Sequence, residues 1–126
     1  MANKTKPKLN EDKQVFSLDL LREMGGDNNS FVDDMLRVYV KESPKTIQKL
    51  NDALLAWDIA LLKSSAHKLR SPSAMMGVSK AVQLSEFIEM HALEVDKIDE
   101  VKIASVELIN LIKLVIKQVK AFLDLH

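Results

Sequence analysis

The stretch SSAHKLRSPSAMMGV, residues 64–78, decides the fold, because a single helical stripe runs into it and through it. At about 100° per residue, Ile59, Leu62, Ala66, Leu69, Ser73 and Met76 fall on one side of a helix. That side must be the core contact. Asp58, in AWDIALL, is the candidate N-cap of this helix, and Gly77 ends or bends it. His67 does not belong to the stripe. It points roughly 130° from the stripe's centre by the same count, toward solvent or toward a groove at the stripe's edge.

The rest of the chain reads outward from this helix in the same period. The 126 residues suit one domain, with 47% hydrophobic residues, three Gly, three Pro and little aromatic mass. Such a composition favours helices packed by Leu, Ile, Val, Ala and Met over a sheet sandwich, and the fold class expected is all-α. Residues 1–14 carry lysines at 4, 6, 8 and 13 and Pro7, and read as a mobile polar tail or cloning remnant. The folded domain is expected over 15–126.

FSLDLLREMGGD predicts a short first helix, with Ser17 as N-cap, Leu18, Leu21 and Met24 facing inward, and Gly25–Gly26 as terminator. From Asn29 a second helix presents Phe31, Met35, Leu36, Val38, Tyr39 and Val40. At Ser43–Pro44 either a fresh helix starts with proline at its first position, or one kinked helix continues through Ile47, Leu50 and Leu54. The continuous helix is favoured, since no loop residues separate the halves. Residues 79–94 form another helix on Ala81, Val82, Leu84, Ile88 and Ala92, and EVDKIDE is the last connection. The final helix, from about Asp99 to Leu125, has polar residues at Asn110, Lys113, Lys117, Lys120 and Asp124 and an otherwise largely apolar circumference. It is either deeply buried in a bundle or partly used against another protein. Trp57, at a turn, reads as a core anchor.

Charge and composition remove several function classes. Eighteen basic residues balance eighteen acidic ones, so no global field attracts nucleic acid or an anionic membrane. Without cysteine there is no disulfide, no Cys-ligated zinc and no thiol nucleophile. The N-terminal MANKTKPKLNEDKQ lacks the apolar run of a signal peptide, and a cytoplasmic protein without membrane insertion is expected. There is no Gly-rich phosphate loop and no carboxylate cluster resembling a nucleotide or magnesium site. The only helical His/Glu pair is His91 with Glu94, a thin signal for a metal-binding bundle.

At three, four and seven residues from His67 stand Ala60, Lys63, Ser64, Arg70, Ser71 and Ala74. Small residues leave room above the ring for a large partner. Lys63 and Arg70 could neutralise an anion at the imidazole, and should lower its proton affinity, leaving a nitrogen free as a nucleophile near neutral pH. Phosphoryl chemistry fits these residues. Surface histidines among basic residues are nonetheless ordinary, and the local pattern alone does not separate the two readings.

AHKLRSPSAMMGV resembles the signature of histidine-containing phosphotransfer (HPt) domains, in which an Ala-His pair is followed by Leu, then Lys, small residues, and Gly ten residues after the histidine. Those positions are Ala66, His67, Leu69, Arg70, Ser73 and Gly77. NSFVDDMLRVYVKESPKTIQKLNDALLAWD also looks like the family's long helix before the histidine helix, and Ala81, Val82, Leu84, Ile88 and Glu89 look like its next one. The resemblance covers roughly residues 17–125. It implies an antiparallel four-helix bundle, here with a short extra N-terminal helix, and His67 as a phosphoacceptor. A receiver-domain phospho-aspartate would donate to His67, which would pass the phosphoryl group to an aspartate on another receiver, with no ATP-dependent kinase activity of its own. Lys63, Lys68 and Arg70 are then the candidate phosphoryl-stabilising residues, and Ala60, Ser64, Ser71, Ala74 and Met75 the docking surface, while Leu69 and Gly77 are structural. The implied partners are receiver (response-regulator) domains and a hybrid sensor histidine kinase. No cofactor is expected beyond Mg²⁺ in the receiver, and the chain is expected to be a monomer.

Two positions depart from the family pattern. Where Gly is common four residues after the histidine, this chain has Ser71, followed by Pro72, which removes a backbone donor toward Lys68. Arg70 replaces Lys, keeping the charge and changing its geometry. An altered partner preference is expected. The alternative function is a helical interaction module that binds a receiver or kinase domain without carrying phosphate.

Overall fold

The computed structural model describes residues 13–125, and among them every regular element is helical. The elements are α1 (Asp19–Gly25), α2 (Asn29–Ala56), α3 (Ile59–Met75), α4 (Ser79–His91) and α5 (Ile98–Leu125), with a 3₁₀ turn at Val95–Lys97 before α5. Residues 1–12, most of the segment expected to be a mobile polar tail or cloning remnant, and His126 lie outside the described residues.

Helices α2 to α5 form the bundle. Successive helices pack on one another through short connections, and α5 closes the ring against α2. Short connections force consecutive helices antiparallel. The core is built from side chains such as Leu36, Leu50, Leu62, Leu69, Ile88, Leu108, Ile112 and Val115, each almost fully excluded from water. On α5, Asn110, Lys113, Lys117, Lys120 and Asp124 are exposed as their spacing requires, while eleven residues are buried. Most of the apolar character of α5 is therefore spent within the bundle, while Ile103, Val106 and Leu125 stay exposed.

α2 runs unbroken through Pro44, as the continuous reading required. Ser43 is buried mid-helix at 4% exposure instead of opening a new one. The helix starts where Asn28 Oδ1 accepts from the backbone N–H groups of Ser30 and Phe31, and ends at Trp57, whose φ of 50° is left-handed. Trp57 is half-buried against the core, with Lys102 Nζ 5.2 Å from its ring centroid.

The lengths explain the N-terminal helix. α2 and α5 have 28 residues each, whereas α3 has 17 and α4 has 13. All four meet at the end holding the α2–α3 and α4–α5 connections. The long pair therefore overhangs the short pair at the other end, by about 1.5 Å per extra residue. Residues 13–25 cover that overhang. Phe16, Leu18 and Leu21 are buried, and the Phe16 ring meets Phe122 of α5 edge-on at 6.3 Å. Gln118 of α5 accepts from Val15 N and donates to the Lys13 carbonyl. Ser17 N donates to the Met76 carbonyl at 2.8 Å.

Two inward assignments change. Met24 is 55% exposed and Val38 52% exposed, both at the edges of their stripes, while Val32 is buried in α2. Ser17 accepts from Asp19 N one residue ahead of the Leu18 cap position, so it braces the helix start without being the cap. α4 stops at His91, short of the expected 94, because the 3₁₀ turn takes up the chain from Val95.

Candidate functional site

The site is assembled by the packing of α3 on α4. Asp58 caps α3 by accepting from Leu61 N at 3.1 Å. Leu62, Ser65, Ala66, Leu69 and Ser73 are the buried face of α3, and Ala81, Leu84, Ser85 and Ile88 that of α4. Small residues on both faces permit a close approach of the two axes. Side chains at the edges of the two faces can then meet across the seam.

His67 lies outside the buried stripe, with 66% of its side chain exposed. Across the seam its Nδ1 is 2.7 Å from Oε1 of Glu89, the residue after buried Ile88. An ionised carboxylate only accepts hydrogen bonds, so in the neutral ring this contact selects the tautomer with its hydrogen on Nδ1 and its lone pair on Nε2. The other carboxylate oxygen of Glu89 accepts from Arg70 Nη1 at 3.3 Å, and Arg70 Nη2 donates to Glu86 at 3.3 Å. Four side chains thus form one chain from Glu86 to Arg70 to Glu89 to His67.

This geometry modifies the electrostatic reading. Lys63 and Lys68 share with His67 and Glu89 a broad shallow depression of about 810 Å³, which also takes in Ala60, Ser64 and Leu93. Arg70 is engaged by two α4 carboxylates. An anion, Glu89, thus stands beside the imidazole together with the cations expected there.

Of the five residues expected to form a docking surface, four lie in two separate hollows. Ala60 and Ser64 lie in the depression with His67. Ser71 and Met75 line a smaller, apolar cavity of about 150 Å³ between α1, α2 and α3, with Met35, Val38 and Tyr39. Burial pushes the Tyr39 hydroxyl above the ordinary phenol range. Met75, expected to be exposed, is half-buried there. Ala74 is exposed on α3. Leu69 is 1% exposed beneath the His67 surface, and Gly77 has a φ of +68° that returns the chain toward α4.

Glu86 and Glu89 were not among the site residues expected from the sequence. The signal was present: both flank the α4 core positions Leu84, Ser85 and Ile88, and they are spaced three apart, as His67 and Arg70 are on the facing helix. His91 offers the contrast. Its Nδ1 is 2.5 Å from Glu94, but only 22% of its side chain is exposed, and its ring packs on Phe87 at a centroid distance of 4.5 Å. Among the described residues, no group of three or more His, Cys, Asp or Glu side chains is arranged to hold a metal ion.

The profile of the Hpt domain family matches residues 34–122. The chain belongs to the Hpt domain family. The matched region contains α3 and α4 whole, together with most of α2 and of α5, while α1 and the segment before it lie outside. In three dimensions the Hpt bundle is similar to the crystal structure of the HPT domain from an Hpt sensor hybrid histidine kinase of Shewanella, with a TM-score of 0.77 and 24% identity. That match covers 90% of this chain and 97% of the Shewanella chain, and it establishes the shared fold. No curated protein matches the sequence. Membership of the Hpt family gives the chain a histidine phosphotransfer role in two-component phosphorelay, with two-component proteins such as receiver domains as partners. Among the described residues, no helix is long and apolar enough to cross a membrane.

Proposed function

We propose that this Hpt domain accepts a phosphoryl group on Nε2 of His67 from the phospho-aspartate of a receiver domain and hands it to the aspartate of another receiver. The observation that carries this reading is the hydrogen bond between His67 Nδ1 and Glu89, made by a ring that is otherwise open to a partner. The Nε2 lone pair attacks phosphorus in line. The bond from phosphorus to the aspartyl oxygen breaks, and its electron pair stays on the receiver's carboxylate. Phosphorylated at Nε2 and protonated at Nδ1, the imidazole ring carries positive charge as the N–P bond forms. Glu89 is already in place to stabilise that charge, which is electrostatic preorganisation of the kind that lowers barriers. Transfer onward reverses the same steps.

Phosphoryl transfer asks mainly for positioning and charge neutralisation. Lys63 and Lys68 lie beside His67 in the same depression and supply positive charge to the phosphoryl oxygens. Ala60 and Ser64 keep the approach low, and Ser71 narrows it while offering a hydroxyl. The Mg²⁺ required belongs to the receiver. The protein is a relay intermediate and not an ATP-using kinase, residues 15–126 are its functional domain, and it acts as a monomer in the cytoplasm. Incubation with a phosphorylated receiver tests this reading: phosphate should move to the native protein and not to a folded His67→Gln variant. Unchanged labelling of that variant would sink the assignment.

A further inference from the structure

We propose that Glu86 is a positioning residue for His67, acting through Arg70 and Glu89; the inference rests on His67 being the phosphoacceptor. Glu86 touches neither the imidazole nor the space in front of it. Its carboxylate is 3.3 Å from Arg70 Nη2, while Arg70 Nη1 reaches Glu89 Oε2 at 3.3 Å. Glu89 spends its second oxygen on His67. The carboxylate that sets the ring tautomer is therefore held at both oxygens, once by the ring and once by a guanidinium that is itself anchored one turn back on α4.

The residue types suit this task. A guanidinium is a planar fork whose two terminal nitrogens can point at separate acceptors, whereas an ammonium is a point charge with no fixed directions. Arg70 can thus bridge two carboxylates spaced three residues apart on the facing helix, which gives a structural use to arginine where the family commonly has lysine. Without Glu86, one arm of the fork has no protein partner and the long side chain regains its rotamer freedom. Glu89 then keeps its contact with the ring but loses the tether that fixes its rotation. Arg70 and Glu86 are 41% and 49% exposed, so solvent screens the pair and the effect is modest.

The test reads the ring directly. In unphosphorylated protein labelled with ¹⁵N-histidine, at an alkaline pH where the imidazole is neutral, NMR gives the proportion of His67 bearing its hydrogen on Nδ1. Glu86→Gln should lower the ratio of the Nδ1–H to the Nε2–H tautomer by about threefold, and Arg70→Lys should move it in the same direction. In a Glu89→Ala background Glu86→Gln should change nothing further, because the link is broken upstream. An unchanged tautomer ratio in folded Glu86→Gln protein overturns the inference, as does an equal effect with and without Glu89. No receiver takes part in this measurement. A tautomer change in a protein that never accepts phosphate would overturn the relay reading while leaving the positioning chain standing.

Discussion

Nδ1 of His67 and Oε1 of Glu89 lie 2.7 Å apart although 22 residues separate them in sequence. The contact exists because α3 and α4 run antiparallel with small side chains at their seam, so the residue beside each buried stripe faces its counterpart. In the neutral imidazole it selects one tautomer, with the hydrogen on Nδ1 and the lone pair on Nε2.

Removing that carboxylate should slow the relay without unfolding it. In Glu89→Ala the imidazole loses a charge-assisted partner worth about 1.5 kcal/mol, which corresponds to roughly tenfold in rate. The rate of phosphate uptake from a phosphorylated receiver is the measurement. Thermal stability should change little, since Glu89 is a partly exposed edge residue.

Much of this architecture was legible in the sequence, and the limits have physical causes. The α3 stripe, the cap at Asp58, the passage of α2 through Pro44 and the polar line on α5 are local patterns, and local patterns survive into the structure. The pairing of Glu89 with His67 is tertiary: periodicity says which residues border the core, but not which edge residues of two helices share a level. Met24 and Val38 are exposed against their periodicity for a related reason, since each sits at the margin of an apolar face where packing decides exposure.

The cap over the overhanging end should matter to stability although it lies outside the family match. Phe16 is 5% exposed and packs on Phe122. Phe16→Ala should cost about 3–5 kcal/mol, read as a lower urea midpoint at unchanged slope.

Gly77 should resist substitution. Its φ is +68°, and a Cβ there would stand 2.9 Å from the Ser17 Cβ, in the contact where Ser17 N meets the Met76 carbonyl. Gly77→Ala should therefore destabilise by about 1–3 kcal/mol, through both backbone strain and displacement of the N-terminal segment. Chemical denaturation of the variant measures it.

Ser71 separates stability from recognition. It is exposed on α3, one turn beyond His67 and at the rim of the apolar cavity. Ser71→Gly should lose about 0.5–1 kcal/mol of helix stability while easing the approach of receivers. A panel of phosphorylated receivers should then show more donors accepted, or faster transfer from poor ones.

The most direct measurement is to locate the phosphoryl group after transfer. Protein phosphorylated by a receiver, kept at alkaline pH and examined by ¹⁵N and ³¹P NMR, should carry a single phosphoryl group on Nε2 of His67, with Nδ1 still protonated toward Glu89. Phosphate on Nδ1, on His91 or on a carboxylate would contradict the account.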